Sequence, residues 1–156
     1  CHLATDAEDK YIFVSGYHDG KETILRLNPD GTVGEITDKV FHKGLGSVAE
    51  RNFRPHVSCT RRTPDGRFVM VADLGIDQVK IYRINTTRNR MELVDILRCK
   101  RESGPREIVF SKDGKYAYIL FELINKVGVF TYKDTDKGPE FELIQLVEPL
   151  SDQLDA

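Results

Sequence analysis

A repeated pattern of short strands predicts an all-β fold, a β-propeller of four-stranded antiparallel blades. Segments 54–84 and 104–132 share one layout: a short strand, an Asp-Gly turn, an apolar strand, a polar turn and a third strand. Gly66 and Gly114 of the two Asp-Gly turns stand 48 residues apart, and 13 residues separate each from the valine that opens its third strand. A period of about 50 residues made of strands is typical of propeller blades.

The chain opens with a weaker copy of this layout, in which Glu8-Asp9 replaces Asp-Gly. Apolar alternation predicts its first three strands at Cys1–Thr5, Tyr11–Tyr17 and Glu22–Leu27. An Asn-Pro-Asp-Gly turn then leads to an outer strand over about Thr32–Val40. The first blade is therefore expected over about residues 1–48.

Two further blades are expected over about residues 49–100 and 101–150, followed by a polar tail at 151–156. The second blade has strands predicted at Phe68–Ala72, Gln78–Ile84 and Met91–Leu97. The strands of the third are predicted at Glu107–Ser111, Tyr116–Phe121, Val127–Tyr132 and Phe141–Val147. The chain is thus expected to form one partial domain, 1–156, of about three blades, whereas a propeller closes with about four to eight.

Composition and charge argue against several classes of function. The chain is 40% hydrophobic and 31% charged, which predicts a protein that buries a core in water. A net charge of −2 argues against nucleic-acid and membrane-surface binding, and no apolar run is long enough to cross a bilayer. Its three widely spaced cysteines fit reduced thiols better than a disulfide framework. We therefore predict a cytoplasmic protein.

Four polar side chains interrupt the apolar frame where strands begin or end. His56 and Arg106 stand at the start of the inner strands of the second and third blades. Asp73 and Glu122 stand at the end of the second strands of the same blades. Because neighbouring strands run antiparallel, all four are expected to project toward one mouth of a central channel.

These residue types suit proton transfer and anion binding. A carboxylate or an imidazole can take a proton from water, and an Arg can bind a phosphate or stabilise an oxyanion. His2, His18 and His42 are expected to have ordinary roles, and no group of residues stands at metal-ligand spacing. We therefore expect no metal and no cofactor. The residues by themselves indicate a propeller with a polar pocket.

Several short motifs together resemble the lactonase family of seven-bladed propellers, which includes 6-phosphogluconolactonases. They are Arg51 with Pro55-His56, the sequences PDGRF and ADLG, and GPR followed by DGKYAY and EL. The resemblance covers about residues 1–150 and implies about three blades from the middle of such a protein. It implies that His56, Arg106 and Glu122 are catalytic, and that Arg51 and Asp73 bind substrate at the same mouth.

The implied reaction is hydrolysis of a phosphorylated sugar lactone, 6-phospho-D-glucono-1,5-lactone, to 6-phosphogluconate in the pentose phosphate pathway. The chain departs from the family pattern at Asn52, Ser58, Glu107 and Phe121, where Gln, His, His and Asn are usual. Two alternatives stay open: a propeller enzyme like the carboxymuconate cycloisomerases, and a non-catalytic binding scaffold, which the departures favour. The open blade faces of a three-bladed arc would also favour self-association.

Overall fold

A computed structural model describes residues 2–44 and 54–149, which form three four-stranded antiparallel sheets. The first sheet contains β1 (His2–Thr5), β2 (Tyr11–Gly16), β3 (Lys21–Leu27) and β4 (Val33–Phe41). The second contains β5 (Val57–Arg62), β6 (Val69–Asp73), β7 (Gln78–Asn85) and β8 (Arg90–Arg98). The third contains β9 (Pro105–Phe110), β10 (Tyr116–Phe121), β11 (Lys126–Thr135) and β12 (Gly138–Val147), with a 3₁₀ turn at Glu122–Ile124. These sheets confirm the predicted all-β fold of four-stranded antiparallel blades.

The sheets stand side by side, with their first strands adjacent. In each sheet the strands pair in chain order, and β5 contacts both β1 and β9. The outer strand β8 likewise contacts β4 and β12. This is the arrangement of consecutive propeller blades, with β1, β5 and β9 as the inner strands.

The second sheet is buried on both faces, which accounts for the unbroken apolar run in β6. Met70 and Ala72 pack toward the third sheet in one core cluster, and Val69 and Val71 pack toward the first sheet in another. Successive side chains of a strand point to opposite faces, so a central sheet needs apolar residues at every position. In β10, by contrast, buried residues such as Ile119 alternate with exposed ones such as Tyr118.

The three turns between first and second strands adopt one backbone conformation, as the repeat predicts. Gly66 and Gly114 have φ angles of +72° and +75°, and Asp9, which replaces the glycine in the first copy, has φ +53°. Aspartate is among the few non-glycine residues that tolerate this left-handed region. The weak first copy therefore has the same turn as the other two.

Two of the predicted strand bounds were wrong near the polar residues. Asp73 is the last residue of β6 rather than the first residue after it, and Arg106 lies inside β9 rather than before it. Arg106 and its repeat equivalent Ser58 each fall at a shift in strand register, where β9 and β5 carry one extra residue. A β-bulge of this kind turns a side chain away from the regular alternation.

None of the helical segments in the described residues is long and apolar enough to span a membrane.

Candidate active site

Three of the predicted site residues lie in one series of contacts across all three sheets. Arg106 Nη1 lies 3.3 Å from Glu122 Oε1, and both side chains are partly exposed. The Arg106 guanidinium carbon lies 6.0 Å from the centre of the Tyr17 ring, within range of a cation–π contact. Tyr17 in turn stacks on His56, with ring centres 4.6 Å apart and planes inclined by 14°. The structure therefore brings His56, Arg106 and Glu122 together through a residue of the first sheet.

The sequence predicts Tyr17 as the last residue of a strand and does not mark it as a site residue. In the structure β2 ends at Gly16, and Tyr17 is the first residue of the following turn. A signal for its position existed: it stands eight residues after Asp9, and Glu122 stands eight residues after Gly114 in the third copy. Tyr17 and Glu122 therefore occupy the same repeat position, next to the same mouth.

Backbone and side-chain contacts fix His56 almost completely. Its side chain is buried, and its Nδ1 lies 2.9 Å from the carbonyl oxygen of Tyr17. Its backbone N–H donates to Asp73 Oδ1 at 2.7 Å, and its carbonyl accepts from Leu74 N at 2.9 Å. Gly75 allows this close packing, because a Cβ there would lie 1.7 Å from the Arg54 carbonyl oxygen.

Asp73 lies beneath the mouth and is fully buried. Its Oδ1 accepts hydrogen bonds from the backbone N–H groups of His56 and Gly75, and its Oδ2 lies 2.7 Å from His42 Nδ1. The other ring nitrogen of His42 lies 3.0 Å from the Tyr82 hydroxyl. These contacts favour a positioning role for Asp73 over direct contact with a substrate. His42, expected to have an ordinary role, belongs to this buried network.

The opposite positions of Asp73 and Glu122 have a simple geometric cause. Asp73 is the last residue of β6, whereas Glu122 is the first residue after β10. Asp73 thus occupies the repeat position of the buried Phe121, whereas Glu122 lies one position further along, in the 3₁₀ turn at the mouth. Glu122 Oε1 contacts Arg106, and its Oε2 has no hydrogen-bond partner among the residues that the structure describes.

Arg51 lies outside the residues that the structure describes, so its substrate-binding role stays a prediction.

Three of the four departures from the family pattern have structural roles in this chain, and the fourth, Asn52, lies outside the described residues. Ser58 Oγ contacts the Pro105 carbonyl at 2.9 Å and thereby joins β5 to β9. Glu107 pairs with Arg61 at 2.8 Å. Phe121 is buried against Phe130 in the core between the second and third sheets. These side chains serve contacts between and within blades.

One group on the inner strands combines metal-ligating side chains. His2, Cys59 and Glu107 each offer a ligand atom, and these atoms lie within 4.8 Å of one another. Thr60 N donates to His2 Nδ1 at 3.2 Å, which leaves the proton of the neutral ring on Nε2, the nitrogen nearer the thiol. Arg61 already neutralises Glu107, and burial raises the pKa of the Cys59 thiol to about 12. The group therefore suits a hydrogen-bonded junction between blades better than a cation site.

The fold and the mouth together define a segment of a β-propeller with a polar site at one end of its inner strands. The whole chain, residues 1–156, matches the family described as lactonase, 7-bladed beta-propeller. The protein therefore belongs to the lactonase family of seven-bladed propellers, and its three sheets are a part of that fold.

Relatives with names and structures agree with this assignment. The chain is 30% identical to the 6-phosphogluconolactonase of Bacillus subtilis, in a match that covers 97% of this chain and 42% of the relative. The crystal structure of a periplasmic gluconolactonase from Pseudomonas aeruginosa matches with a TM-score of 0.88 and 25% identity, over 97% of this chain and 42% of that one. A Lactobacillus plantarum protein matches with a TM-score of 0.85 and 29% identity, over 96% and 42% of the two chains. The chain thus spans about two fifths of the length of these relatives.

Proposed function

We propose that this chain supplies the catalytic mouth of a 6-phosphogluconolactonase. The proposal depends chiefly on the contact series from Glu122 through Arg106 and Tyr17 to His56, which gathers a carboxylate, a guanidinium and an imidazole. Membership of the lactonase family and 30% identity to the Bacillus subtilis enzyme support the reaction class. We propose further that the reaction belongs to the pentose phosphate pathway and takes place in the cytoplasm.

The proposed reaction is hydrolysis of a lactone ring. Glu122 accepts a proton from water, with His56 as its proton partner, as the water oxygen bonds to the lactone carbonyl carbon. The electron pair of the carbonyl moves onto its oxygen, and Arg106 stabilises that negative charge. The intermediate then re-forms the carbonyl, the bond to the ring oxygen breaks, and the departing oxygen takes the proton. One lactone and one water thus give one hydroxy acid.

The partial exposure of Glu122 supports its assignment as the base. Its side chain is 34% exposed and its Oε1 lies 3.3 Å from Arg106 Nη1, so the carboxylate can reach both the mouth and the guanidinium. The neighbouring Arg106 has its side chain 48% exposed, so it can also contact a substrate. Arg51 is then the candidate that holds the substrate phosphate, because Arg binds such groups through two parallel hydrogen bonds.

The test is the rate at which 6-phosphogluconate forms above the spontaneous hydrolysis of its lactone. The protein should be assayed in a form long enough to close seven blades, with the 156-residue chain in parallel. Glu122→Gln and Arg106→Ala should each lower turnover by about 10²-fold or more. Glu92→Gln and Arg90→Ala, at exposed positions of the outer strand β8, should leave it unchanged.

Two outcomes would contradict the proposal. If both Glu122→Gln and Arg106→Ala kept full turnover, the site assignment would be wrong. If the closed propeller did not hydrolyse the lactone but converted a carboxymuconate, or bound ligands without turnover, the cycloisomerase or scaffold alternative would replace it.

A further inference from the structure

We infer that Tyr17 is a positioning residue, which selects the tautomer of His56 and fixes the plane of its ring. The consequence for turnover rests on the proposed function, because the orientation of His56 matters only if His56 takes part in the reaction. The contacts themselves lie within this chain, so they can be tested without a substrate.

The carbonyl of Tyr17 determines which nitrogen of His56 carries the proton. His56 Nδ1 lies 2.9 Å from that oxygen, which can accept a hydrogen bond but cannot donate one. In the neutral ring Nδ1 is therefore the protonated nitrogen, and Nε2 carries the lone pair. His56 is thus held as the tautomer whose Nε2 can accept a proton.

The ring of Tyr17 fixes the direction in which that lone pair points. The two rings stack with centres 4.6 Å apart and planes inclined by 14°. The stack opposes tilting of the His56 ring, and the hydrogen bond from Nδ1 opposes its rotation within its plane. The guanidinium of Arg106 lies 6.0 Å from the same Tyr17 ring, so one aromatic side chain orients two of the proposed catalytic groups.

The turn that carries Tyr17 is itself held against the His56 segment. Gly20 ends this turn with φ +61°, and a Cβ at this position would lie 2.9 Å from Pro55 Cβ and 3.0 Å from the Pro55 carbonyl oxygen. The Gly20 carbonyl accepts a 2.9 Å hydrogen bond from His42 N, and the ring of His42 contacts Asp73. Since Asp73 also binds the backbone of His56, the first sheet holds His56 from one side and the second sheet holds it from the other.

This geometry assigns the first blade a part in the site. His56 belongs to the second blade, and Arg106 and Glu122 belong to the third, yet the tautomer of His56 depends on a carbonyl from the first. A change in the β2–β3 turn should therefore alter proton transfer without removing any group that touches the substrate.

The test is the tautomer of His56 in the ¹⁵N-labelled 156-residue chain, determined from two-bond ¹H–¹⁵N correlations at a pH where the ring is neutral. The Nδ1–H tautomer is expected in the wild type and in Tyr17→Phe, which keeps both the ring and the carbonyl. Gly20→Ala pushes the turn, and with it the Tyr17 carbonyl, away from Pro55, so it should yield a mixture of tautomers. Tyr17→Ala keeps the carbonyl and removes only the stack that fixes the plane of the ring. Gly31→Ala is the matched control, since Gly31 has φ +87° but a Cβ there meets nothing within 4 Å.

An Nε2–H tautomer in the wild type would overturn the inference, and so would an Nδ1–H tautomer that is unchanged in Gly20→Ala. In the closed propeller, Tyr17→Ala should lower kcat more than it changes KM, and Tyr17→Phe should restore kcat. The expected tautomers in a protein without lactonase activity would refute the proposed function alone. Lactonase activity with the wrong tautomer would refute the role of Tyr17 alone.

Discussion

Glu22 lies fully buried between the first and second sheets, and its replacement by Gln should stabilise the protein at neutral and alkaline pH. Glu22 Oε1 accepts a 2.6 Å hydrogen bond from Thr60 Oγ1, which also lies 2.6 Å from Ser15 Oγ. Its Oε2 has no hydrogen-bond partner within the described part of the chain. Burial disfavours the charged carboxylate and raises the pKa of Glu22 from 4.5 to about 7.

The size and sign of the effect follow from this pKa. Below pH 4.5 both the folded and the unfolded chain hold the proton, so the stability is fully present. Between pH 4.5 and about 7 the unfolded chain loses its proton first, and the free energy of unfolding falls as the pH rises. Above about pH 7 the loss is complete and amounts to about 3 kcal/mol, at about 1.4 kcal/mol per pH unit. Gln stays neutral in both states and avoids this loss.

The assay is urea unfolding of the wild type and of Glu22→Gln at several pH values from about 4.5 to 8. The quantity of interest is the difference between the two free energies of unfolding, because other titrating groups cancel in it. This difference should shift in favour of the variant by about 3 kcal/mol across the range. Glu92→Gln, at an exposed position, is the control and should show no such trend. A difference for Glu22→Gln that does not change with pH would refute the reasoning.

Two further predictions concern packing around the second sheet. Gly75→Ala would place a Cβ 1.7 Å from the Arg54 carbonyl oxygen, so urea unfolding should show a loss of about 1–3 kcal/mol or more, and a loss no larger than that of Gly31→Ala would contradict the close approach. Cys59 is buried and the pKa of its thiol is raised to about 12, so peptide mapping after treatment with iodoacetamide at about pH 8 should find it unmodified in the folded protein and modified in urea. Rapid modification of Cys59 in the folded protein would contradict this burial.

The fold could be predicted largely from the sequence because its signals are local. Turns such as Asp65-Gly66 and Asp113-Gly114 mark the repeat, and the alternation in strands such as β10 follows from one buried face. Strand ends were harder to predict, because Asp73 is polar and yet belongs to β6. The packing of its neighbours and its contact with His42 offset the free-energy cost of burying its carboxylate.

The candidate site could be predicted only in part, because its contacts join residues from different blades. The placement of His56 just before β5 and of Glu122 just after β10 was visible in the repeat, and both lie in one contact series with Arg106. No local pattern indicates that Tyr17 stacks on His56, since that contact spans 39 positions and depends on how two sheets pack. The same limit applies to the inner-strand group around Cys59, whose members come from three sheets.

The central claim is that His56 and Glu122 act together in one lactone-hydrolysing site. The most direct test measures hydrolysis of 6-phosphogluconolactone by His56→Ala, by Glu122→Gln and by the double variant, in the form of the protein that closes seven blades. Residues that act as a unit have strongly non-additive effects on kcat, so the double variant should lose about as much turnover as the worse single variant. Losses that multiply would mean that the two residues act independently, and full turnover in the double variant would place the chemistry elsewhere.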